Sequence, residues 1–382
     1  MLANMACALL ANMVGFEGGA GMTSGVTTPG AGWRRADPPS VGTKGDQRRK
    51  RGRKGGARDG DPTVEDAEFS SYYGRQIVKS PVWKTPDVPL YLFLGGAAGS
   101  SSVLGAMAEL TGRPALARSA QYVAGGGALA SVVFLIHDLG RPARFLHMLR
   151  VIKPTSPLSV GSYILSPFSA LTSATAGLRL LGWFPRLRPL AAAGAAAFGG
   201  PMATYTAVLL SNTAVPSWHE PHDQLPFVFA GSAMAAGGGI CMALTPVDEA
   251  SPARRMAVTG AAIELVAMHK VEHDHGIVSE PYHIGRAGKL LRIAKSCTAA
   301  GAGLTVVAGR TRAGAVASGA LLAAGSLLTR FGVFDAGMHS TKDPKYVVIP
   351  QKARRAAREA DAAKLAEDEG RLAEGEGRSV TT

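Results

Sequence analysis

His137 and Asp138 stand side by side where a long apolar stretch ends, and Arg141, Arg144, His147 and Arg150 follow within a few residues. An imidazole beside a carboxylate exchanges protons near neutral pH, and guanidinium groups at the same place pair with carboxylates or with free carbonyls at a helix end. This run, Ile136 to Arg150, continues through Val-Ile-Lys-Pro-Thr-Ser-Pro-Leu-Ser-Val to Gly161, at the mouth of the next apolar stretch. Ionisable groups in or at the edge of a bilayer are costly, so each is a functional candidate until a structural role accounts for it. The competing role here is a charged interfacial turn that ends a helix at Gly140 and Pro142. Farther along, Glu264, Lys295, Arg330 and Asp335 interrupt other apolar stretches. Glu264 and Arg330 fall on stretches able to lie side by side, which predicts a buried ion pair. The sharper alternative is a proton path toward the first cluster. His273 and His275 are of metal-ligating type, but the acidic and basic residues interleaved with them favour an exposed loop.

The elements that must position these residues are set by length. Crossing about 30 Å of hydrocarbon takes roughly 20 apolar residues in a helix. Eight such stretches recur from Val88 onward: Val88–Leu110, Ser119–His137, Leu158–Phe184, Leu190–Asn212, Leu225–Leu244, Met256–His269, Leu290–Ala308 and Ala313–Phe334, the sixth being short. The expected fold is an all-α membrane protein with about eight transmembrane helices in two four-helix bundles, 88–218 and 225–338. A basic tail and interfacial segment (1–87) precede the bundles, and a helical tail (339–382) follows them. Hydrophobic residues make up 46% of the 382 and charged ones only 18%, while Ala and Gly fill the apolar stretches. Small residues let helix backbones approach closely where lipid supplies no hydrophobic drive.

The net charge of +13 does not argue for nucleic acid, because much of it sits in the tail, with its run from Gln47 to Lys54. A solvated arm near anionic headgroups fits that placement better than a DNA groove. Residues 15–68 are rich in Gly, Pro and charge and are expected to be disordered; Met1–Val14 lacks the basic start of a secretory signal. Cys7, Cys241 and Cys297 have no metal-ligand spacing, which predicts neither a disulfide framework nor a protein-bound cluster. Lys and Arg are balanced between the two sets of loops. The flanking Arg75, Lys79, Lys84, Lys342, Lys345, Lys352 and Arg354 favour cytoplasmic termini in a cell membrane.

His137-Asp-Leu-Gly-Arg-Pro142, then Arg144-Phe-Leu-His-Met148 and Ser156-Pro-Leu-Ser-Val-Gly-Ser-Tyr163, resembles the NrfD/PsrC polysulfide-reductase membrane-anchor family. Tyr205 to Trp218 resembles the family's fourth helix, and Pro86 to Gly99 its first; the likeness spans about Tyr72 to Phe334. The resemblance implies an eight-helix anchor without haem. It would exchange electrons between membrane quinone (menaquinone or ubiquinone) and a ferredoxin-like iron–sulfur subunit, itself coupled to a molybdopterin catalytic subunit such as a formate dehydrogenase or a polysulfide or nitrite reductase. It also places the quinone headgroup among the first four helices. Helix direction agrees, since topology brings Tyr91, His137, Asp138, Ser159, Tyr163, Asn212 and Trp218 to one surface. Under this resemblance His137 and Asp138 are the proton-exchanging residues, and Tyr91, Arg141, Ser159, Tyr163, Tyr205 and Trp218 surround the quinone. Tyr91 stands where family members can carry a His, and a phenol is a hydrogen-bond donor rather than a proton exchanger at neutral pH. For either tyrosine alone, the commoner role is an interfacial anchor. Two other classes compete. A secondary transporter would use helices broken at Gly199-Gly-Pro201 and Gly237-Gly-Gly239, and a membrane scaffold or assembly protein would bind partners but no quinone.

Overall fold

The computed structural model describes residues 76–141, 143–150 and 152–379, with side chains to Leu365. The readings of Met1–Val14, of Cys7 and of 15–68 lie outside these residues. The described chain is helical with no strand, as expected for a protein whose backbone polar groups must pair within each segment in lipid.

The first bundle contains α1 (Asp87–Leu110), α2 (Pro114–Leu139), α4 (Pro157–Leu181) and α5 (Leu187–Ser211), with the short α3 (Ala143–Met148) between the second and third of these. A short α6 (Pro216–His219) leads to the second bundle of α7 (Leu225–Leu244), α8 (Ser251–His273), α9 (Gly285–Ala308) and α10 (Arg312–Ser340). A 3₁₀ helix (Gly276–Tyr282) joins α8 to α9, and α11 (Lys345–Ser379) closes the described chain. Proline opens α2, α4, α7 and α8, where its missing N–H removes no helical bond. Gly140 and Gly182 end α2 and α4 at positive φ, a conformation that side-chain-bearing residues resist.

The eight long helices alternate in direction. Six are long and apolar enough to cross a membrane: α1, α2, α5, α7, α9 and α10. The expected count of eight therefore meets its own criterion in six. Seven Ser and Thr residues between Ser159 and Thr175 lower the hydropathy of α4, and Arg254, Arg255, Glu264, Lys270 and Glu272 lower that of α8. The short sixth stretch becomes a helix of 23 residues because those charges continue the helix at both ends. Neither Gly-rich site is a break. Pro201 lies inside a continuous α5, Gly199 faces the backbone of Gly99, and Gly238 and Gly239 face the backbones of Ala257 and Gly319. The feature that kept a transporter in view is thus a packing device.

The two ends of the bundles are built differently. At the end away from the termini, Glu109 accepts hydrogen bonds from Gln121 Nε2 (2.7 Å) and Arg188 Nε (2.9 Å), and Arg179 Nε donates to Gln121 Oε1 (2.6 Å). At the terminal end, the segment Gln76–Pro86 is a strap over both bundles. Ser80 Oγ meets Thr341 Oγ1 after α10 (2.5 Å), Trp83 stacks on Trp218 and Phe334, and the Lys84 N–H donates to Asp138 at the end of α2 (2.9 Å).

The expected C-terminal helix is present and longer than its charged core, Gln351 to Arg371. Tyr346 is buried at its start, Lys345 Nζ lies 2.9 Å from Glu280 Oε2, and Arg354 pairs with Glu220 (3.2 Å), whereas 351–365 is exposed throughout. The hydrogen bond from Lys345 holds the Glu280 carboxyl below the usual carboxylate range and the Lys345 ammonium above its own. A lowered carboxylate pKa contributes stability above its unfolded value and loses it as pH falls through the folded value; the raised Lys value contributes below the ordinary lysine pKa and is lost above it. The tether therefore holds at neutral pH and weakens in acid, as pH falls below the ordinary glutamate range. Glu280→Gln is expected to raise the rate of proteolytic release of α11 modestly at neutral pH, as befits a half-exposed pair. The same cleavage rate in both proteins would show that Tyr346 and the Arg354–Glu220 pair hold the helix without Glu280.

Candidate functional site

Tyr91 lies one turn into α1 and Tyr205 about two turns before the end of α5. The two helices are antiparallel, so both phenols sit at similar depth below the terminal surface. Their hydroxyls are 2.8 Å apart, and the residues are only 2% and 9% exposed. Gly161 of α4 makes room for this pair, because an added Cβ there would overlap the Tyr205 ring. Met202 and Ser131 close in on Gly95 next to Tyr91, and Ser131 Oγ donates to the Tyr91 carbonyl (3.4 Å). Two hydroxyls have two hydrogens, and their mutual bond uses one. The other can be donated to a third acceptor.

His137 and Asp138 are placed together by sequence but serve different partners. His137 Nδ1 is 2.7 Å from Asp87 Oδ2; the imidazole is 72% exposed and the carboxylate 7%. Asp87 opens α1 about one helical turn before Tyr91, so one buried carboxylate lies between a water-exposed imidazole and the turn that carries a buried phenol. Asp138 instead accepts the Lys84 N–H, while Lys84 Nζ donates to the His137 carbonyl (3.3 Å). Of the two roles open to Arg141 and Arg144, pairing with the carboxylate of Asp138 is not seen, and bonding to a helix-end carbonyl is seen for Arg144 alone. The strap reaches Asp138 first, Arg144 donates to the Leu139 carbonyl (3.1 Å), and the Arg141 side chain is exposed, without hydrogen bond or ion pair to the described residues.

The other expected residues share the terminal surface without forming one pocket. Ser159 Oγ accepts the Lys153 N–H (3.0 Å) and borders a cleft of about 310 Å³ with His147, Met148, Lys153, Ser156 and Leu158. Tyr163 donates to the Leu149 carbonyl (2.8 Å), pinning the connection after α3 to α4. Trp218 is fully buried against Gly337, donates to the Val333 carbonyl of α10 (2.8 Å) and packs its ring at a tilt against Phe334, which joins the bundles. Tyr282 supports the same joint by donating to the Ser217 carbonyl, and burial raises its phenol pKa.

In the second bundle, Glu264 and Arg330 are both buried but make no direct ion pair, since no nitrogen–oxygen approach within 4.0 Å joins them among the described residues. Arg330 Nη2 instead donates to the Phe229 carbonyl (2.9 Å) with its guanidinium 3.7 Å over the Phe229 ring, and Thr329 Oγ1 donates to Glu264 (2.6 Å). Lys295 binds Glu272 (2.7 Å) and Arg286 binds Asp335 (3.3 Å). His273 lies in the last turn of α8, its Nδ1 at the His269 carbonyl (2.8 Å), rather than in a loop with His275.

Sequence reasoning missed Asp87 and Gly161. The spacing of Asp87 four residues before Tyr91 was a usable signal, an acid in the first turn of an apolar helix. Gly161 gave none, because only the folded chain sets α4 against Tyr205.

Searches of curated proteins and of solved structures give no match. A family model described as polysulfide reductase matches residues 69–343, well over half of the chain, from the strap through the end of α10. With its apolar helices and this match, the protein is a multi-pass membrane subunit of polysulfide-reductase type, and the chain belongs to the NrfD family.

Proposed function

We propose that this subunit binds quinone at the terminal end of its first bundle and exchanges electrons between the quinone and an iron–sulfur partner, with no haem of its own. The partner in turn serves a molybdopterin catalytic subunit. The observation that carries the reading is the buried Tyr91–Tyr205 hydroxyl pair, one helical turn from an Asp87 that is itself bonded to the exposed His137.

A quinone accepts or releases two electrons and two protons at its carbonyl oxygens. The chain's residues suit that demand. The free hydrogen of the tyrosine pair is a donor for one carbonyl oxygen, and burial strengthens such a bond by excluding competing water. Asp87 holds the His137 imidazole with one nitrogen toward the carboxylate, which leaves the other, on the exposed side, to exchange protons with water. Asp138 and Lys84 position the end of α2 that carries His137. Ser159, Tyr163 and Arg141 border the approach from the surface, and Trp218 fixes the level of the α6 turn beside it. In this reading the termini are cytoplasmic, the lipid bilayer is the cell membrane, and the iron–sulfur subunit docks on the terminal surface.

Purification in mild detergent, with identification of co-purifying subunits and of extracted quinone, tests the proposal as a whole. An iron–sulfur partner and bound quinone are expected; absence of the partner would overturn the reading. Within the site, His137→Ala and Asp87→Asn are expected to lower turnover with an artificial quinol about tenfold or more in an assembled complex. Asp138→Asn is expected to have the smaller effect. Unchanged turnover in the first two variants would remove the proton route from the proposal.

A further inference from the structure

At the end of the second bundle away from the termini, α8 begins and α9 finishes side by side, and a cleft of about 390 Å³ opens between them. Its rim carries Arg254, Arg255 and Arg310, and its floor is Val258 and Val306 with the hydroxyl-bearing Thr259. We propose that this cleft holds the phosphate of an anionic phospholipid, with the acyl chains running along Val258 and Val306 into the bilayer.

The first argument is charge balance. At this end Arg188 and Arg179 are paired with Glu109, whereas Arg254, Arg255 and Arg310 are gathered on one cleft without an acid. No carboxylate among the described residues lies within ion-pair distance of Arg254, Arg255 or Arg310. The acid nearest in sequence to place there, Glu249, is turned away to accept the Ala115 and Leu116 N–H groups at the start of α2 (2.8 and 3.2 Å). Three guanidinium groups on one small rim repel one another, and an anion between them relieves that repulsion with charge-assisted hydrogen bonds.

The second argument is preparation. Arg254 Nη1 donates to the Val247 carbonyl (3.0 Å), and its stem crosses to α9, where an added Cβ at Gly309 would come 3.1 Å from its Cδ. The arginine is thus held over the cleft.

The third argument selects the lipid over a free anion. Val306 and the neighbouring Val307 are 69% and 86% exposed on a helix apolar enough to cross a membrane, so the cleft runs from a cationic rim directly onto a lipid-facing surface. A phosphate with attached acyl chains covers both; inorganic phosphate would cover only the rim.

The test is retention of lipid by the purified full chain, with whatever subunits it keeps, after exchange into detergent containing phosphatidylglycerol or phosphatidylcholine. Bound lipid is counted by mass spectrometry. The wild type is expected to retain phosphatidylglycerol selectively. Arg255→Gln with Arg310→Gln, both at exposed positions, is expected to lower that selectivity about tenfold, near the value of one to two basic residues at a membrane surface. Helix content by circular dichroism is expected to be unchanged. Equal retention of the two lipids by the wild type, or unchanged selectivity in the double variant, would overturn the proposal. Displacement of phosphatidylglycerol by inorganic phosphate alone would overturn the lipid assignment in favour of a free-anion site.

Discussion

Tyr205→Phe is expected to cut quinol-linked turnover of the assembled complex by roughly 10- to 100-fold, the range for loss of a buried hydrogen bond to a group that gains charge. The reason lies in the pair. Tyr205 and Tyr91 share one hydrogen bond, and removing either hydroxyl leaves the other buried phenol either unpaired or bound differently to quinone. Tyr91→Phe should therefore resemble Tyr205→Phe. The double variant should cost less than the two singles combined, since the second change removes a group already orphaned by the first. A Gly161→Val variant supplies an independent check, because its side chain would push the Tyr205 ring from its place while both hydroxyls remain in the sequence. Steady-state turnover with a soluble quinol, alongside gel filtration to confirm assembly, measures all four. Wild-type rates in both single variants would sink the assignment of the tyrosine pair to quinone, and full additivity would mean that they act separately.

Arg330→Met should have the largest effect on stability. The guanidinium is fully buried, donates to the Phe229 carbonyl, lies over the Phe229 ring and is within electrostatic reach of the buried Glu264. Its removal leaves the Phe229 carbonyl without its donor and Glu264 in an apolar bundle without a neighbouring cation, a change expected to cost about 1–3 kcal/mol. Glu264→Gln combined with Arg330→Met should recover much of the loss, because a neutral amide in place of the carboxylate needs no counter-charge. Reversible unfolding in mixed micelles reads both. A single Arg330→Met variant as stable as the wild type would show that the two groups are not coupled. A double variant no better than the single would place the cost in lost packing on Phe229.

These residues show how far reading along the chain carries. Hydrophobic length located the eight long helices, six of which are long and apolar enough to cross a bilayer, because its thickness sets the length of the stretches that cross it. It failed at the edges of α8, where charges that look like loop residues continue a helix because they face partners such as Lys295. The arrival of Tyr91 and His137 at one surface was also legible, since alternating helix direction alone decides which ends meet; the meeting of Tyr205 with Tyr91 was not, because two turns from a helix end reads as deeper.

Sequence by itself determined the type and order of the helices, the family to which the short motif around His137 points, and the surface that carries the polar cluster. Tertiary structure alone decided the partners: Asp87 rather than Asp138 for His137, Phe229 rather than Glu264 in direct contact with Arg330, and a rim of arginines left without acids. The physical reason is that hydrophobic length and helix direction accumulate along the chain, whereas a hydrogen bond depends on ångström-scale approach between segments far apart in sequence. That approach is fixed only when small residues such as Gly161 and the strap before α1 are packed in place.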